Sequence, residues 1–217
     1  MGKLLCASMM CADLGNLEKE IRELEESGID IFHLDVMDGM FVPNFAMGLG
    51  EMEYICKKAT KPCDVHMMIE NPGNYVEKFA SIGIKIIYIH PEADRHACRT
   101  LQKIKDANAY AGIAVNPETS FETVRHLLPL CDYVMVMSVN PGFAGQKYLD
   151  FVTPKFKQFV DESKNYGGHK VVMDGACSPE KVEELSKVGV EGFVLGTSTL
   201  FNKGRSYRDI VEDLRKL

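Results

Sequence analysis

Residues 16–39, NLEKEIRELEESGIDIFHLDVMDG, contain the unit from which the fold is predicted. Apolar residues recur at helical spacing in its first half, Gly28 ends that pattern, and an apolar run of strand length follows. The same alternation of short apolar runs and amphipathic stretches continues along the whole chain. We predict eight strands, at residues 3–8, 30–36, 62–68, 84–90, 109–115, 132–138, 169–174 and 191–196.

Eight β-then-α units of nearly equal length favour a closed (β/α)₈ barrel of the α/β class. An open, Rossmann-like sheet is the alternative, but no G-x-G-x-x-G motif opens the first helix. Glycines at 28, 83 and 189 follow helical stretches and are predicted to end those helices in the left-handed conformation. With no linker, charge block or low-complexity segment, residues 1–217 are predicted to form one domain.

The composition narrows the class of protein. Of 217 residues, 46% are hydrophobic and 26% are charged, which is ordinary for a globular protein and excludes disordered and collagen-like chains. Twenty-five basic and 31 acidic residues give a formal charge of −6, so neither nucleic acid nor a membrane is an expected partner. A phosphorylated ligand would therefore be held by backbone amides rather than by clustered arginines.

The cysteines and the first residues of the chain indicate the cellular compartment. There are seven cysteines, an odd number, and none forms a C-x-x-C pair. This pattern favours a reducing compartment and disfavours a disulfide framework or a cysteine-based zinc site. The short apolar run after Lys3 meets Asp13 at once, so it is predicted to be a buried strand rather than a signal peptide. We expect a cytoplasmic protein.

The second predicted strand places its ionisable residues on one face. Alternation along a strand puts Ile31, His33, Asp35 and Met37 on one side and residues such as Phe32 on the other. The outer face of a barrel meets helices, so the apolar set is predicted to point outward. His33 and Asp35 are then predicted to point into the mouth of the barrel.

The third strand repeats the pattern, and the seventh ends in a carboxylate that needs a partner. Two imidazoles and two carboxylates converging at one point suit Zn²⁺, Fe²⁺, Mn²⁺ or Co²⁺, among which the sequence does not choose. The alternative is that the histidines are hydrogen-bonded core residues. The predicted cluster consists of His33, Asp35, His66 and Asp174.

Methionines and small residues follow the same strand ends. Met37, Met68 and Met137 occupy corresponding inward positions, either as core packing or as a polarisable wall beside a delocalised anion. Glycine-rich loops after the last three strands can bring backbone N–H groups close to a phosphate. These loops contain Gly142, Phe143, Ala144 and Gly145, then Gly175, then Gly196, Thr197 and Ser198.

Four stretches carry a resemblance to a known family. HLDVMDGMFVPN (33–44), VHMM (65–68), MSVNPGFAGQ (137–146) and VMDG (172–175) strongly resemble the ribulose-phosphate 3-epimerases, and the resemblance spans nearly the whole chain. It implies a (β/α)₈ barrel of the ribulose-phosphate-binding type that uses one divalent metal ion. It also implies an isomerase that inverts C3 of a ketose phosphate, and a homo-oligomer.

The resemblance assigns roles residue by residue. His33, Asp35, His66 and Asp174 would bind the metal ion. Asp35 and Asp174 would also be the two acid/base residues, one removing the C3 proton and the other returning a proton to the opposite face of a cis-enediolate. The implied substrate contacts are Ser8, His66, Met37, Met68, Met137, Gly142, Phe143, Ala144, Gly145, Gly175, Gly196, Thr197 and Ser198.

The same resemblance leaves two substrates open. Residues 8–11, 90–92 and 196–201 look like the D-allulose 6-phosphate branch of the family, whereas residues 138–140 look like the pentulose enzymes. Ala144 and Ala176 stand where the pentulose enzymes more often have glycine. We expect D-allulose 6-phosphate and D-fructose 6-phosphate as the substrate pair. D-ribulose 5-phosphate and D-xylulose 5-phosphate, of the pentose phosphate pathway, are the alternative.

Two other classes of protein fit this sequence less well than an epimerase does. A decarboxylase of the related phosphate-binding barrels needs D-x-K-x-x-D at a strand end, and here Met37 occupies the lysine position between Asp35 and Asp38. A non-catalytic sugar-phosphate binding protein can dispense with an acid/base residue, but both Asp35 and Asp174 are present. The epimerase is therefore the expected activity.

Overall fold

The computed structural model describes residues 2–217. Within that range the chain alternates strands and α-helices, as the sequence predicts. The strands are β1 (Leu4–Ser8), β2 (Ile31–Asp38), β3 (Phe45–Ala46), β4 (Cys63–Met68), β5 (Ile86–Ile89), β6 (Tyr110–Val115), β7 (Tyr133–Met137), β8 (Lys170–Asp174) and β9 (Gly192–Leu195). The helices are α1 (Leu17–Ser27), α2 (Leu49–Lys58), α3 (Val76–Ser81), α4 (Ala97–Asp106), α5 (Phe121–Val124), α6 (Thr153–Glu162), α7 (Pro179–Val188) and α8 (Tyr207–Lys216).

The sheet closes into a barrel. Neighbouring strands pair in parallel in the order β1-β9-β8-β7-β6-β5-β4-β2, and β1 also pairs with β2. The predicted (β/α)₈ barrel is therefore confirmed, and the open sheet is wrong. The sequence missed β3, which pairs antiparallel with the end of β2 and places Phe45 opposite Asp38. A strand of two residues has no periodicity from which it can be predicted.

Helix ends follow the sequence signals. Gly28, Gly83 and Gly189 have φ of 90°, 101° and 108°, which confirms the predicted left-handed helix ends. Ser178 and Ser206 are the N-caps directly before α7 and α8, and each side chain accepts a hydrogen bond from the backbone N–H three residues on. Within residues 2–217, no helix combines the length and the apolar character that crossing a bilayer requires.

The predicted alternation along β2 is confirmed by the two apolar cores that it separates. Phe32 and Leu34 belong to the layer between barrel and helices, whereas Ile31 belongs to the barrel interior. Ionisable residues at alternate positions of β2 therefore face the interior. The interior cluster contains Cys6, Ile31, Ile86, Tyr88, Ala114, Met135, Met137, Val172 and Val194.

His169, directly before β8, gives the fold a pH dependence that lies outside the ionisable cluster. Its side chain is buried and its ring meets that of Phe159 edge-on, with centroids 6.4 Å apart. Burial lowers the pKa of His169 below its usual value. The unfolded chain therefore takes up a proton at His169 as the pH falls below about 6.5, before the folded chain does.

We expect His169→Phe to lose less stability than the unchanged protein between pH 7 and pH 5. The free energy of unfolding, measured by urea denaturation at both pH values, gives the comparison. The exposed histidine variant His126→Gln should lose as much stability as the unchanged protein. Equal losses in all three proteins would contradict the assignment to His169.

Candidate active site

Polar residues of the neighbouring strands β2 and β4 lie opposite one another. The parallel pairing sets His33 opposite Asp64 and Asp35 opposite His66. All four residues are buried, with at most 3% of their surface exposed. Asp174 ends β8 on the other side of β1 and keeps 14% of its side chain exposed. Closure of the barrel therefore brings the predicted cluster together.

Four ligand atoms of this cluster lie within 4.8 Å of one another, one from each of His33, Asp35, His66 and Asp174. His33 Nε2 lies 3.3 Å from Asp35 Oδ1. His66 Nδ1 lies 3.3 Å from Asp35 Oδ1 and also 3.3 Å from Asp174 Oδ2. The structure thus places the four residues that the sequence analysis named around one point.

Two observations test whether these residues fit a metal ion. His33 Nε2 and His66 Nδ1 are buried, and within residues 2–217 neither has a hydrogen-bond partner. Ligand atoms about 2.1 Å from one ion, at bond angles between octahedral and tetrahedral, lie roughly 3.0–3.4 Å apart. The three separations of 3.3 Å given above fall in that range. The cluster can therefore hold a divalent ion of borderline softness, whose identity the donor set leaves open.

Neighbouring groups orient the two residues contributed by β2. His33 Nδ1 lies 2.6 Å from Asp64 Oδ1, which keeps the proton on Nδ1 and turns the Nε2 lone pair towards the cluster. Ser8 donates a hydrogen bond of 2.9 Å from Oγ to Asp35 Oδ2. Alternation along β4 puts Asp64 on the same face as His66, but its role could not be predicted because it depends on strand register.

Protonation of the cluster reflects its two carboxylates and the neighbouring carboxylate of Asp64. Burial opposes a charged imidazole, but Asp64 and Asp35 raise the pKa of His33 well above its usual value. The effect of burial is likewise outweighed at His66, because Asp174 and Asp35 raise the pKa of its ring. Burial would raise the pKa of Asp35, but His33 and His66 lower it. The carboxylates thus attract positive charge to the cluster, and a divalent cation supplies such charge.

Two further residues adjoin the cluster from the end of β5. His90 is fully buried, and its Nε2 lies 2.8 Å from Nε2 of His66. Burial lowers the pKa of His90 to about 4, so its ring is neutral. His90 Nδ1 in turn lies 3.6 Å from Glu92 Oε2. The sequence analysis used His90 and Glu92 only as markers of a branch of the family.

A cavity opens above the cluster at the mouth of the barrel. The predicted loop residues, the three methionines and both Asp35 and Asp174 line it. His66, also predicted as a substrate contact, is fully buried and lies outside the lining. Among the described residues that line the cavity, none is Lys or Arg. The predicted contacts that the lining contains are Ser8, Met37, Met68, Met137, Gly142, Phe143, Ala144, Gly145, Gly175, Gly196, Thr197 and Ser198.

The loop after β7 is tied to the hairpin formed by β2 and β3. Asn44 donates a hydrogen bond of 2.7 Å from Nδ2 to the carbonyl oxygen of Gly142. Gln146 donates from Nε2 to the carbonyl oxygens of Asn140 and Phe143, at 2.6 and 2.9 Å. These bonds close the loop on itself and hold it over the cavity.

The loop after β8 requires glycine at its first position. Gly175 has φ of 98°, and a Cβ there would lie 2.4 Å from a methyl group of Val139. Ser138 fixes the same turn from β7, since its Oγ donates to the carbonyl oxygens of Asp174 and Gly175. The backbone carbonyl groups of Asp174 and Gly175 are thus held by one buried hydroxyl, whose single proton they share.

Residues 4–201 match the ribulose-phosphate 3 epimerase family. The ribulose-phosphate 3-epimerase of Aquifex aeolicus (strain VF5) is 37% identical over 216 residues, which cover 99% of this chain and 95% of that protein. The enzyme of the same name from Bacillus subtilis (strain 168) is 38% identical over 194 residues, covering 88% of this chain and 89% of that protein.

Solved structures with little sequence identity share the fold. A mutant tryptophan synthase alpha-subunit from Pyrococcus furiosus superposes with a TM-score of 0.72 at 16% identity, covering 100% of both chains. The 3-hexulose-6-phosphate synthase of Salmonella typhimurium also gives 0.72, at 14% identity, covering 100% of this chain and 97% of that one. At such identities these two structures support the barrel and nothing finer.

Metal binding to the cluster should stabilise the folded chain. An ion at a concentration 100 times its Kd adds about 2.7 kcal/mol to the free energy of unfolding. For a domain of this size, that raises Tm by roughly 5–10 °C. We expect Zn²⁺, Mn²⁺ or Co²⁺ to raise Tm in a thermal melt and EDTA to reverse the change. His33→Gln should lose most of the shift, and the exposed-residue variant His96→Gln should keep it. A full shift in His33→Gln would contradict the site.

Proposed function

The chain belongs to the ribulose-phosphate 3-epimerase family, and on that premise we propose that it interconverts D-ribulose 5-phosphate and D-xylulose 5-phosphate. As a member of this family it is an isomerase, of the class that epimerises carbohydrates. The reaction inverts C3 of the sugar, next to the C2 carbonyl. The proposal includes the four-residue cluster as a metal site and the cavity above it as the place where the sugar binds.

The choice of a five-carbon substrate rests on the relatives. Those described above carry the name ribulose-phosphate 3-epimerase, and each is matched over most of its length. They favour the pentulose alternative over D-allulose 6-phosphate, which the sequence analysis preferred. Of the features behind that preference, His90 and Glu92 lie outside the cavity lining, so they supply no contact that would select a six-carbon sugar.

The observation that carries the proposed mechanism is the position of the two aspartates. Asp35 and Asp174 both line the cavity, from strands on either side of β1, and each contributes an oxygen to the same cluster. Inversion at carbon needs a base on one face and an acid on the other. Two carboxylates from separate strands supply both, provided that the planar intermediate lies between them.

The proton transfers follow from this arrangement. One aspartate removes the C3 proton, and the other, protonated, delivers a proton to the opposite face of the resulting cis-enediolate. Ser8 holds Asp35 through its hydrogen bond to Oδ2, which leaves Oδ1 on the side of the cluster. A divalent ion held by His33, Asp35, His66 and Asp174 would act as a Lewis acid for the negative charge on the sugar oxygens.

The remainder of the lining orients the sugar phosphate. With no Lys or Arg among the described lining residues, the phosphate must be bound by backbone N–H groups and hydroxyls. The three glycine-containing loops supply these groups, at residues 142–145, at Gly175 and at residues 196–198. The thioethers of Met37, Met68 and Met137 give the enediolate a polarisable, apolar wall that excludes water.

Assembly and location complete the proposal. Met40 and Phe45, at the barrel mouth, are 76% and 79% exposed, and apolar side chains this exposed support an interface between copies of the chain. We therefore include a homo-oligomer in the proposal. The seven cysteines are free thiols within the described residues, which suits the reducing cytoplasm.

The test is exchange of the C3 proton in D₂O, followed by proton NMR on metal-loaded protein. We expect D-ribulose 5-phosphate to lose its C3 proton signal and form its epimer faster than D-allulose 6-phosphate does. A faster reaction of the six-carbon sugar would reverse the choice of substrate. Exchange with neither sugar, in protein shown to contain metal, would contradict the epimerase.

Single variants test the two-aspartate mechanism. Asp35→Asn and Asp174→Asn should each slow epimerisation by about 10²–10⁴-fold. A variant that keeps one base should still exchange the C3 proton of one epimer without forming the other, which separates acid/base loss from metal loss. Metal content of each variant is measured alongside, and Asp161→Asn, on the exposed face of α6, is the control. Full turnover in either aspartate variant would contradict the mechanism.

A further inference from the structure

The contact between His66 and His90 fixes which nitrogens carry protons. The two Nε2 atoms lie 2.8 Å apart, and both rings are fully buried. At this separation one nitrogen donates and the other accepts, because two lone pairs or two N–H groups facing each other would repel. The direction of this single hydrogen bond therefore sets the tautomer of both neutral rings.

The far nitrogen of each ring shows which direction is favoured. His66 Nδ1 faces Asp35 Oδ1 and Asp174 Oδ2, at 3.3 Å each, and has no hydrogen-bond partner within residues 2–217. His90 Nδ1 faces Glu92 Oε2 at 3.6 Å and likewise has no hydrogen-bond partner there. If His90 donated to His66, its Nδ1 would present a lone pair to the Glu92 carboxylate. If His66 donates, His90 presents a proton to Glu92 instead, and the lone pair of His66 Nδ1 is directed at an ion held between Asp35 and Asp174; this is the arrangement of the metal-loaded site.

Glu92 is itself held in place from two directions. Its Oε1 accepts hydrogen bonds from the backbone N–H of Asn116 and from Thr119 Oγ1, at 3.0 and 2.5 Å. Lys155 of α6 fixes that loop, since its Nζ donates to the carbonyl oxygens of Asn116, Pro117 and Thr119. The carboxylate that faces His90 thus belongs to a braced segment of the fold.

We propose that His90 and Glu92 are positioning residues that hold His66 in the tautomer with its proton on Nε2 and its lone pair on Nδ1, aimed at the metal site. The inference rests on the metal site of the proposed function. Asp64 does the same for His33 through one direct contact. On the side of β4 and β5, the neutral ring of His90 lies between His66 and the Glu92 carboxylate. The full negative charge of Glu92 is therefore one ring further from the ion than that of Asp64.

The tautomer is measured directly on the unchanged protein by nitrogen-15 NMR of the histidine rings. In Zn²⁺-loaded protein we expect signals of protonated nitrogens, with slowly exchanging protons, at His66 Nε2 and at His90 Nδ1. A proton on His90 Nε2 in the loaded protein would overturn the proposal. Because no sugar is present, this outcome is independent of whether the chain is an epimerase.

Variants test the effect on the metal site. Loss of an outer partner of a metal-bound histidine typically weakens metal binding 10–100-fold. We expect His90→Phe, which removes the acceptor, to raise the Kd for Zn²⁺ by that factor in competition with a chelator. His90→Gln, which restores an acceptor oxygen, should recover part of the affinity. Glu92→Gln should weaken binding less than His90→Phe.

The matched control is Thr119→Val, which removes the Thr119 hydrogen bond to Glu92 Oε1 and leaves Oε2 facing His90. Its Kd for Zn²⁺ should stay within about threefold of the unchanged value. Equal affinity in His90→Phe and the unchanged protein would overturn the proposal. If His90→Phe does not fold, Glu92→Gln and the tautomer measurement decide. Absence of Zn²⁺ binding in the unchanged protein would contradict the metal site and, with it, this proposal.

Discussion

Ionisable groups buried at the mouth of a closed barrel need partners there, and this requirement governs the arrangement around β2, β4 and β8. A buried charge is costly unless it is paired or bound to a metal ion. Here each imidazole of the cluster meets a carboxylate or another ring, and the two nitrogens left without hydrogen bonds point to one spot. The barrel therefore stabilises a set of groups that no single strand of it could bury alone.

Much of this arrangement follows from the sequence because it depends on periodicities of two and of about 27 residues. Alternation along β2 places His33 and Asp35 on one face, and repetition of the unit places Asp174 at an equivalent strand end. Which residues of neighbouring strands lie opposite one another depends on the register between the strands, and a single sequence does not specify that register. Asp64 is opposite His33 only because β2 and β4 pair in that register. The roles of Asp64, His90 and Glu92 were missed for this reason.

One departure from the family pattern introduces local backbone strain. Ala176 has φ of 44°, a left-handed conformation that costs a residue with a Cβ of order 1 kcal/mol or more. Glycine, which pentulose enzymes more often have there, would adopt this backbone without strain. The alanine thus affects the stability of the turn after β8. Ala144 has no such strain, since its neighbours Gly142 and Gly145 adopt the positive φ angles in that loop.

The length of sugar that the cavity admits depends on how firmly each part of its lining is fixed. Gly175 directly follows Asp174, so a proposed acid/base residue and a proposed phosphate contact are joined by one peptide bond, which Ser138 fixes. On the opposite side, a Cβ at Gly196 would be in ordinary van der Waals contact with Cys11 Sγ, at 3.5 Å, so the turn after β9 packs close to residue 11. The loop at residues 140–146 lines the same cavity and is held by side-chain hydrogen bonds, so a sugar that displaced it would have to break them. Because Asn44 ties Gly142 to the hairpin after β2, one of the bonds broken would be anchored beside the strand that carries Asp35.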